Sequence, residues 1–144
     1  RDDGMTIEIR RLGVADAVAF ERVADGVFDH AIDRARLMAY LSTPGHHFIG
    51  AFADGVMIGQ LGAMVHRHPD LRPAELYVDE LGVAPRFQRQ GIARRLVDAA
   101  FTLARELGCP EIWVATEPDN LPARGLYEAR GARAEPAVMY VYKL

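Results

Sequence analysis

The feature that most limits how this chain folds is one continuous stretch, residues 75–115, which reads as strand, polar loop, long helix and strand. Glu75–Ala84 is rich in β-formers. From Gly91 to Leu107 the apolar residues Ile92, Leu96, Ala99, Ala100, Leu103 and Leu107 recur every three or four positions. That is the spacing of an amphipathic helix, and Gly108 supplies its C-terminal stop. Glu111–Ala115 (EIWVA) is short and mostly apolar, as a buried central strand is. A helix linking two strands in this way is a crossover, and a crossover places its strands parallel in one sheet. This stretch commits the chain to an α/β architecture.

The remaining segments fit around it. Met5–Arg11 alternates Ile7 and Ile9 with polar residues and predicts a first strand. Val14–Val27 carries Ala17, Val18, Phe20, Val23, Ala24 and Val27 at mixed three- and four-residue spacings and predicts an amphipathic helix. Ile32–Leu41, with Ala35, Met38 and Leu41 on one stripe, predicts a second helix, closed by Ser42-Thr43-Pro44-Gly45. His47–Ala53 and Val56–His66 flank Asp54-Gly55, a strong hairpin signal. Leu121–Arg130, with Pro122 in its first turn, predicts a short helix, and Val138–Tyr142 a final strand. The predicted fold class is α/β, a mixed sheet in the order β-α-α-β-β-β-α-β-α-β with helices on both faces. It forms a single domain over residues 1–144, with residues 1–4 read as a remnant ahead of a natural start at Met5.

Composition narrows the function classes. Of 144 residues, 50% are hydrophobic and 26% charged, which excludes a disordered chain. Seventeen basic against twenty acidic residues leave a net charge of −3, with the basic residues dispersed, so nucleic acid is not the expected partner. A mildly acidic protein suits a cationic substrate. No apolar run approaches the roughly 20 residues of a membrane-spanning helix, and the start (RDDGMTIEIRR) lacks a signal-peptide core. The single Cys109 excludes an intrachain disulfide and a cysteine-based zinc cage. The expected location is the cytoplasm, with no membrane partner.

The loop before the long helix carries the most chemistry. Arg86, Arg89 and Gln90 precede Gly91, which opens the helix. Free N–H groups in a helix's first turn, reinforced by its dipole, bind anions. Gly91 and Ala93 keep side chains out of the way, so a diphosphate can approach the backbone. Neither GxxxxGK[ST] nor GxGxxG is present. On these residues alone, an ordinary strand–loop–helix connection with a glycine turn is the better account.

The surroundings alter that balance. Gln88-Arg89-Gln90-Gly91-Ile92-Ala93 resembles the [Q/R]-x-x-G-x-[G/A] motif of the GNAT superfamily of acetyl-coenzyme A-dependent N-acetyltransferases. Asn120 and Leu126-Tyr127-Glu128-Ala129-Arg130-Gly131-Ala132 resemble a second segment of that family, although Ala132 stands where an aromatic or aliphatic residue is usual. The resemblance runs from Thr6 to the last predicted strand. It implies acetyl-coenzyme A as co-substrate; no metal is expected, on the residues themselves. It also implies that the backbone of Leu81 and Val83 holds the pantetheine arm. The amides of Arg89, Gln90, Gly91, Ile92 and Ala93, with the Gln88 side chain, hold the pyrophosphate. Asn120 binds the pantetheine, and Tyr127 stands near the thioester sulfur.

Acetyl transfer to an amine requires a base for the ammonium proton, stabilisation of an oxyanion and a proton for the leaving thiolate. A phenol, with an ordinary pKa of about 10, is a credible donor, which makes Tyr127 the candidate acid. Leu81 N–H is the candidate oxyanion donor. Asp79 and Glu80 are the best-placed carboxylates, at the end of Glu75–Ala84. Alternation along a strand sends them to opposite faces unless a bulge intervenes. Glu80 is the expected base, since antibiotic-modifying members of the family carry an acidic residue there, and Asp79 then binds the acceptor. The bland alternative is that both are solvated strand-end charges.

Within the superfamily, Phe28-Asp29, Tyr40-Leu41, Phe48–Phe52 and Leu76–Leu81 are similar to class I aminoglycoside 3-N-acetyltransferases. That resemblance implies a polycationic small-molecule amine, acetylated on its 3-amino group, as in antibiotic resistance. Asp29, Asp33, Asp70, Glu75, Asp79 and Glu80 would supply a negative cleft. Those enzymes carry an acidic residue in the last strand, where this chain has Tyr142. The alternatives are another amine, a polyamine, a protein N-terminus, or a module that binds acetyl-coenzyme A without catalysis. Tyr140 and Tyr142 either line the acceptor cleft or pair across the sheet, and the final strand offers an edge for a homodimer. His66-x-His68 puts two imidazoles on one strand face, but zinc needs further defined ligands, so strand-end polar residues are the preferred reading there. Cys109, between Gly108 and Pro110, reads as a structural thiol.

Overall fold

A computed structural model describes residues 5–144; the reading of residues 1–4 lies outside the described residues. Five strands form one sheet in the order β1-β2-β3-β4-β5, with β1 at Ile7–Leu12, β2 at His46–Ala53, β3 at Val56–His66, β4 at Glu75–Val83 and β5 at Glu111–Val114. The first four pair antiparallel, and β5 joins β4 parallel after a crossover through α2, Ile92–Glu106. The α/β class, the mixed sheet and the parallel pair predicted by the crossover are therefore present. Local chemistry explains several joints. Asp54 and Gly55 both take positive φ, 50° and 77°, as the two central residues of a type I′ hairpin require. Asp33 caps α1 (Arg34–Ser42) by accepting from Arg36 N–H at 2.9 Å, and Asn120 caps α3 (Leu121–Ala129) by accepting from Ala123 N–H at 3.2 Å.

The core lies in the middle of the sheet. Ile49, Met57, Ile58, Leu61 and Leu76 on the strands are almost fully buried, together with Leu96 of α2. β2 and β3 are apolar along most of their length because both of their faces are covered.

Four expectations need correction. Glu111–Ala115 is not a buried central strand: β5 stands at the edge of the sheet, and Trp113 is 44% exposed. Val14–Val27 is not one amphipathic helix: a 3₁₀ helix spans Val14–Glu21, interrupted at Asp16, and Val18 is exposed. The chain then leaves helical geometry because its backbone bonds elsewhere. Met57 N–H donates to Arg22 O at 2.8 Å and Ala24 N–H donates to Met57 O at 2.9 Å. Arg22–Ala24 thus fills the edge of β3 that β4 does not reach, through the bridge Val23–Met57. In the second helix the packed stripe is Leu37, Tyr40 and Leu41, whereas Ala35 is exposed. The predicted strand Val138–Tyr142 does not form. Its side chains are 67–88% exposed, and residues 132–144 carry no regular structure. A strand needs a partner edge, and none within the described chain meets this one.

Candidate active site

The ladder between β4 and β5 ends at Val78–Val114, so among the described residues Asp79–Val83 has no strand partner on the β5 side. On the other side, pairing with β3 slips by one residue. Gly62 opposes Glu80 while Ala63 opposes Val78, which leaves Asp79 as the extra residue of a β-bulge. The bulge cancels the alternation that sends neighbours to opposite faces. A Cβ built at Gly62 would lie 3.2 Å from the Tyr40 hydroxyl, 3.3 Å from Asp79 Oδ1 and 3.8 Å from Glu80 Cβ. Asp79 and Glu80 therefore share one face, over a floor left open by Gly62.

A second close approach brings in Asp29. At Gly82 a Cβ would meet Val27 O at 2.5 Å, so only glycine lets the segment after the 3₁₀ helix lie directly on β4. That segment carries Asp29 and His30 to the Glu80 carboxyl. Partial burial lifts the Glu80 carboxyl above its usual range, with Asp79 and Asp29 pushing the same way, while Gln60 and His30 favour the charged form. Burial first, then Asp79 and Glu80, also raise the Tyr40 phenol, whose hydroxyl donates to His47 O at 2.8 Å. Gln60 is fully buried; its Nε2 donates to Val27 O at 3.4 Å, and its Oε1 has no partner among the described residues.

Sequence reasoning missed Tyr40, Gln60 and the two floor glycines. Gln60 had a signal, a lone polar side chain within the apolar run Val56–Val65. Three acids expected in the cleft are engaged elsewhere: Asp33 caps α1, Asp70 pairs with Arg72 at 3.0 Å, and Glu75 pairs with His68 at 2.7 Å. The negative cleft reduces to Asp29, Asp79 and Glu80.

The loop leading into α2 has the geometry of an anion nest. Arg89 and Gly91 both adopt left-handed backbone, φ 64° and 80°. Among the described residues, no protein acceptor meets the backbone N–H groups from Arg89 to Arg94. Consecutive unsatisfied donors at a helix start, with left-handed residues interspersed, converge on one bound anion. Nothing lies within 4 Å of a Cβ placed on Gly91, so the approach is open. These features fit a diphosphate held by the backbone of Arg89, Gln90, Gly91, Ile92 and Ala93.

Two side chains do other work there. Gln88 Nε2 donates to Val83 O at 3.1 Å and braces the loop against β4. The Arg86 guanidinium lies over the Phe87 ring at 4.9 Å. Asn120 Oδ1 is spent on the α3 cap, while Tyr127 is half-buried on α3 and burial raises its phenol. An ion pair from Arg130 to Asp98 ties the end of α3 to α2. Cys109 is buried, which pushes its thiol up and keeps it inert.

Residues 8–132 match the sequence model of the Acetyltransferase (GNAT) family. The chain belongs to that family. It is 34% identical to human N-acetyltransferase 8 over 93 residues, 65% of this chain and 41% of that protein. It is 32% identical to the N-alpha-acetyltransferase RimI of Mycobacterium tuberculosis over 91 residues, 63% of this chain and 54% of RimI. To the aminoglycoside N(6')-acetyltransferase type 1 of Salmonella typhimurium it is 28% identical, over 65% of this chain and 66% of that one. The fold is shared with an aminoglycoside acetyltransferase from an uncultured soil metagenomic sample: TM-score 0.81, 23% identity, covering 96% of this chain and 95% of the other. The chain thus spans about two fifths of human N-acetyltransferase 8 and about half of RimI. The aminoglycoside relative is of the 6'-type, so class I 3-N-acetyltransferases are not specifically indicated. Among the described residues no helix is long and apolar enough to cross a membrane.

Proposed function

We propose that the protein transfers an acetyl group from acetyl-coenzyme A to a primary amine of a polycationic small molecule, an aminoglycoside. The observation that carries this reading is the bulge at Asp79. It turns two carboxylates onto one face at the place where β4 parts from β5 and runs into the anion nest. The nest would hold the pyrophosphate, and the free edge of Asp79–Val83 the pantetheine arm, with Leu81 N–H facing the carbonyl oxygen and Asn120 assisting. Bound there, acetyl-coenzyme A supplies an activated thioester. Glu80 takes the ammonium proton, and its raised carboxyl makes it the stronger base near neutral pH. Asp79 and Asp29 attract the cationic acceptor, and Tyr127 gives a proton to the departing sulfur. Tyr127→Phe removes only the hydroxyl, so melting should be preserved while turnover falls by about a hundred- to ten-thousandfold. Unchanged turnover, with chemistry rate-limiting, would return Tyr127 to packing.

Thiol release over a panel of aminoglycosides, polyamines and peptides tests the acceptor. The class I resemblance favours the 3-amino group, and the Salmonella relative's name specifies the 6'-amino group. Mass spectrometry and NMR of the acetylated product distinguish them. The similarity to RimI favours a second reading, a protein N-terminus as acceptor. Release with an alanine-terminated peptide but no aminoglycoside would establish that reading instead. The exposed strip Val138–Tyr142 and the outer edge of β5 support the expected homodimer, each tail pairing with a second copy.

A further inference from the structure

Away from this site, the sheet assembles a second cluster of chemically capable side chains. His66 ends β3, His68 follows in the connection to β4, and Glu75 opens β4 directly opposite His66. One ligand atom from each residue lies within 4.8 Å of the other two. His68 Nε2 and Glu75 Oε2 are 2.7 Å apart, and the two imidazole centroids 4.5 Å. Sequence alone sets a metal aside for want of further ligands. The antiparallel register supplies Glu75, which the His66-x-His68 spacing does not contain.

We propose that His66, His68 and Glu75 form a binding site for a divalent transition metal of the zinc type, with a fourth position left to water. Two imidazole nitrogens and one carboxylate oxygen form a donor set suited to zinc. Tetrahedral coordination at ligand distances of about 2.0–2.2 Å places ligand atoms roughly 3.3 Å apart. The His68–Glu75 pair therefore has to open slightly from 2.7 Å, and the exposed His66 ring has to swing inward. Both are side-chain rotations, and no strand has to move.

The site is also preorganised. The His68 side chain is only 8% exposed and is already oriented by Glu75. The Trp113 indole lies beside the Glu75 carboxyl, as outer-shell partners of metal ligands do. Trp113 in turn stacks on Tyr77 at 4.1 Å. Of the three ligands His66 alone lines the neighbouring cleft of about 310 Å³, together with His46, Tyr77 and Trp113. Glu75 and Glu80 sit five residues apart on β4, roughly 16 Å at a strand's rise per residue. The metal would pin the connection between β3 and β4, and the proposal stands apart from acetyl transfer.

The test uses the untagged full chain, stripped with EDTA, titrated calorimetrically with Zn²⁺ and monitored by visible absorption with Co²⁺. One equivalent of zinc and the intense bands of tetrahedral cobalt are expected. His66→Ala alters an exposed side chain, so the fold should survive, and zinc affinity should drop at least about tenfold, a loss that even outer-shell partners produce. Glu75→Gln should weaken binding similarly, with melting curves reporting its folding; if it unfolds, His66→Ala decides alone. Absence of binding overturns the proposal, as does cobalt that stays octahedral or zinc binding that survives His66→Ala unchanged.

Discussion

Replacing Gly91 with glutamate is expected to abolish acetyl-coenzyme A binding while the fold persists. The position has φ 80°, and a Cβ there meets nothing within 4 Å, so the substitution adds backbone strain without a clash. Left-handed backbone costs an L-residue about 1–2 kcal/mol, which a folded domain tolerates. The new carboxylate, however, sits among the N–H groups of Arg89 to Arg94, where the nest would hold a pyrophosphate. Gly91→Ala carries the strain without the charge and should retain measurable binding. Calorimetry and thermal shift report both, because a ligand of the native state raises Tm by mass action. A wild-type protein whose melting does not move at saturating acetyl-coenzyme A would remove the acetyltransferase reading. Tight binding by Gly91→Glu would move the pyrophosphate to another part of the molecule.

Glu80→Gln should lower kcat/KM by about a hundredfold or more, the usual contribution of a positioned base. The pH profile separates this role from a structural one. A base works only when ionised, so wild-type activity should fall as pH drops through the Glu80 pKa, which lies above the ordinary carboxylate range because of burial, Asp79 and Asp29. Glu80→Gln should erase that acid limb. Asp79→Asn removes a neighbouring negative charge, so the limb should move to lower pH, with its main kinetic effect on KM. The stability effect has the opposite sign to the activity effect. A carboxyl raised on folding contributes stability at low pH that is lost as pH rises through its folded value. At neutral pH, Glu80→Gln should therefore melt no lower than wild type. An acid limb that persists unchanged in Glu80→Gln would give the proton transfer to another group.

Where the sequence was legible, the controlling physics was local. The helix after Gly91 shows in its apolar spacing, the hairpin in Asp54-Gly55, and the parallel pair in the strand–helix–strand order. These need only backbone geometry and one buried face. Val14–Val27 and Val138–Tyr142 misled because an apolar pattern states that a segment can be buried or paired, not whether a partner is available. In the first case Met57 captured the backbone; in the second the segment pairs with no edge among the described residues.

The site divides along the same line. Glu80, Asp79, Asp29 and the run Gln88–Ala93 were visible as residue types at meaningful positions. Their arrangement was not, because it depends on a one-residue slip between β3 and β4 and on absent side chains at Gly62 and Gly82. Register slips and close backbone approaches are settled by the fit of distant segments, so no local pattern records them. The sequence by itself determined the α/β class, the crossover and the donors of the anion loop. Only the tertiary structure decided that the two carboxylates face the same way, that Asp29 joins them while Asp33, Asp70 and Glu75 do not, and that His66, His68 and Glu75 meet. Each of these outcomes depends on which strand edge, cap or counter-charge claimed a side chain first.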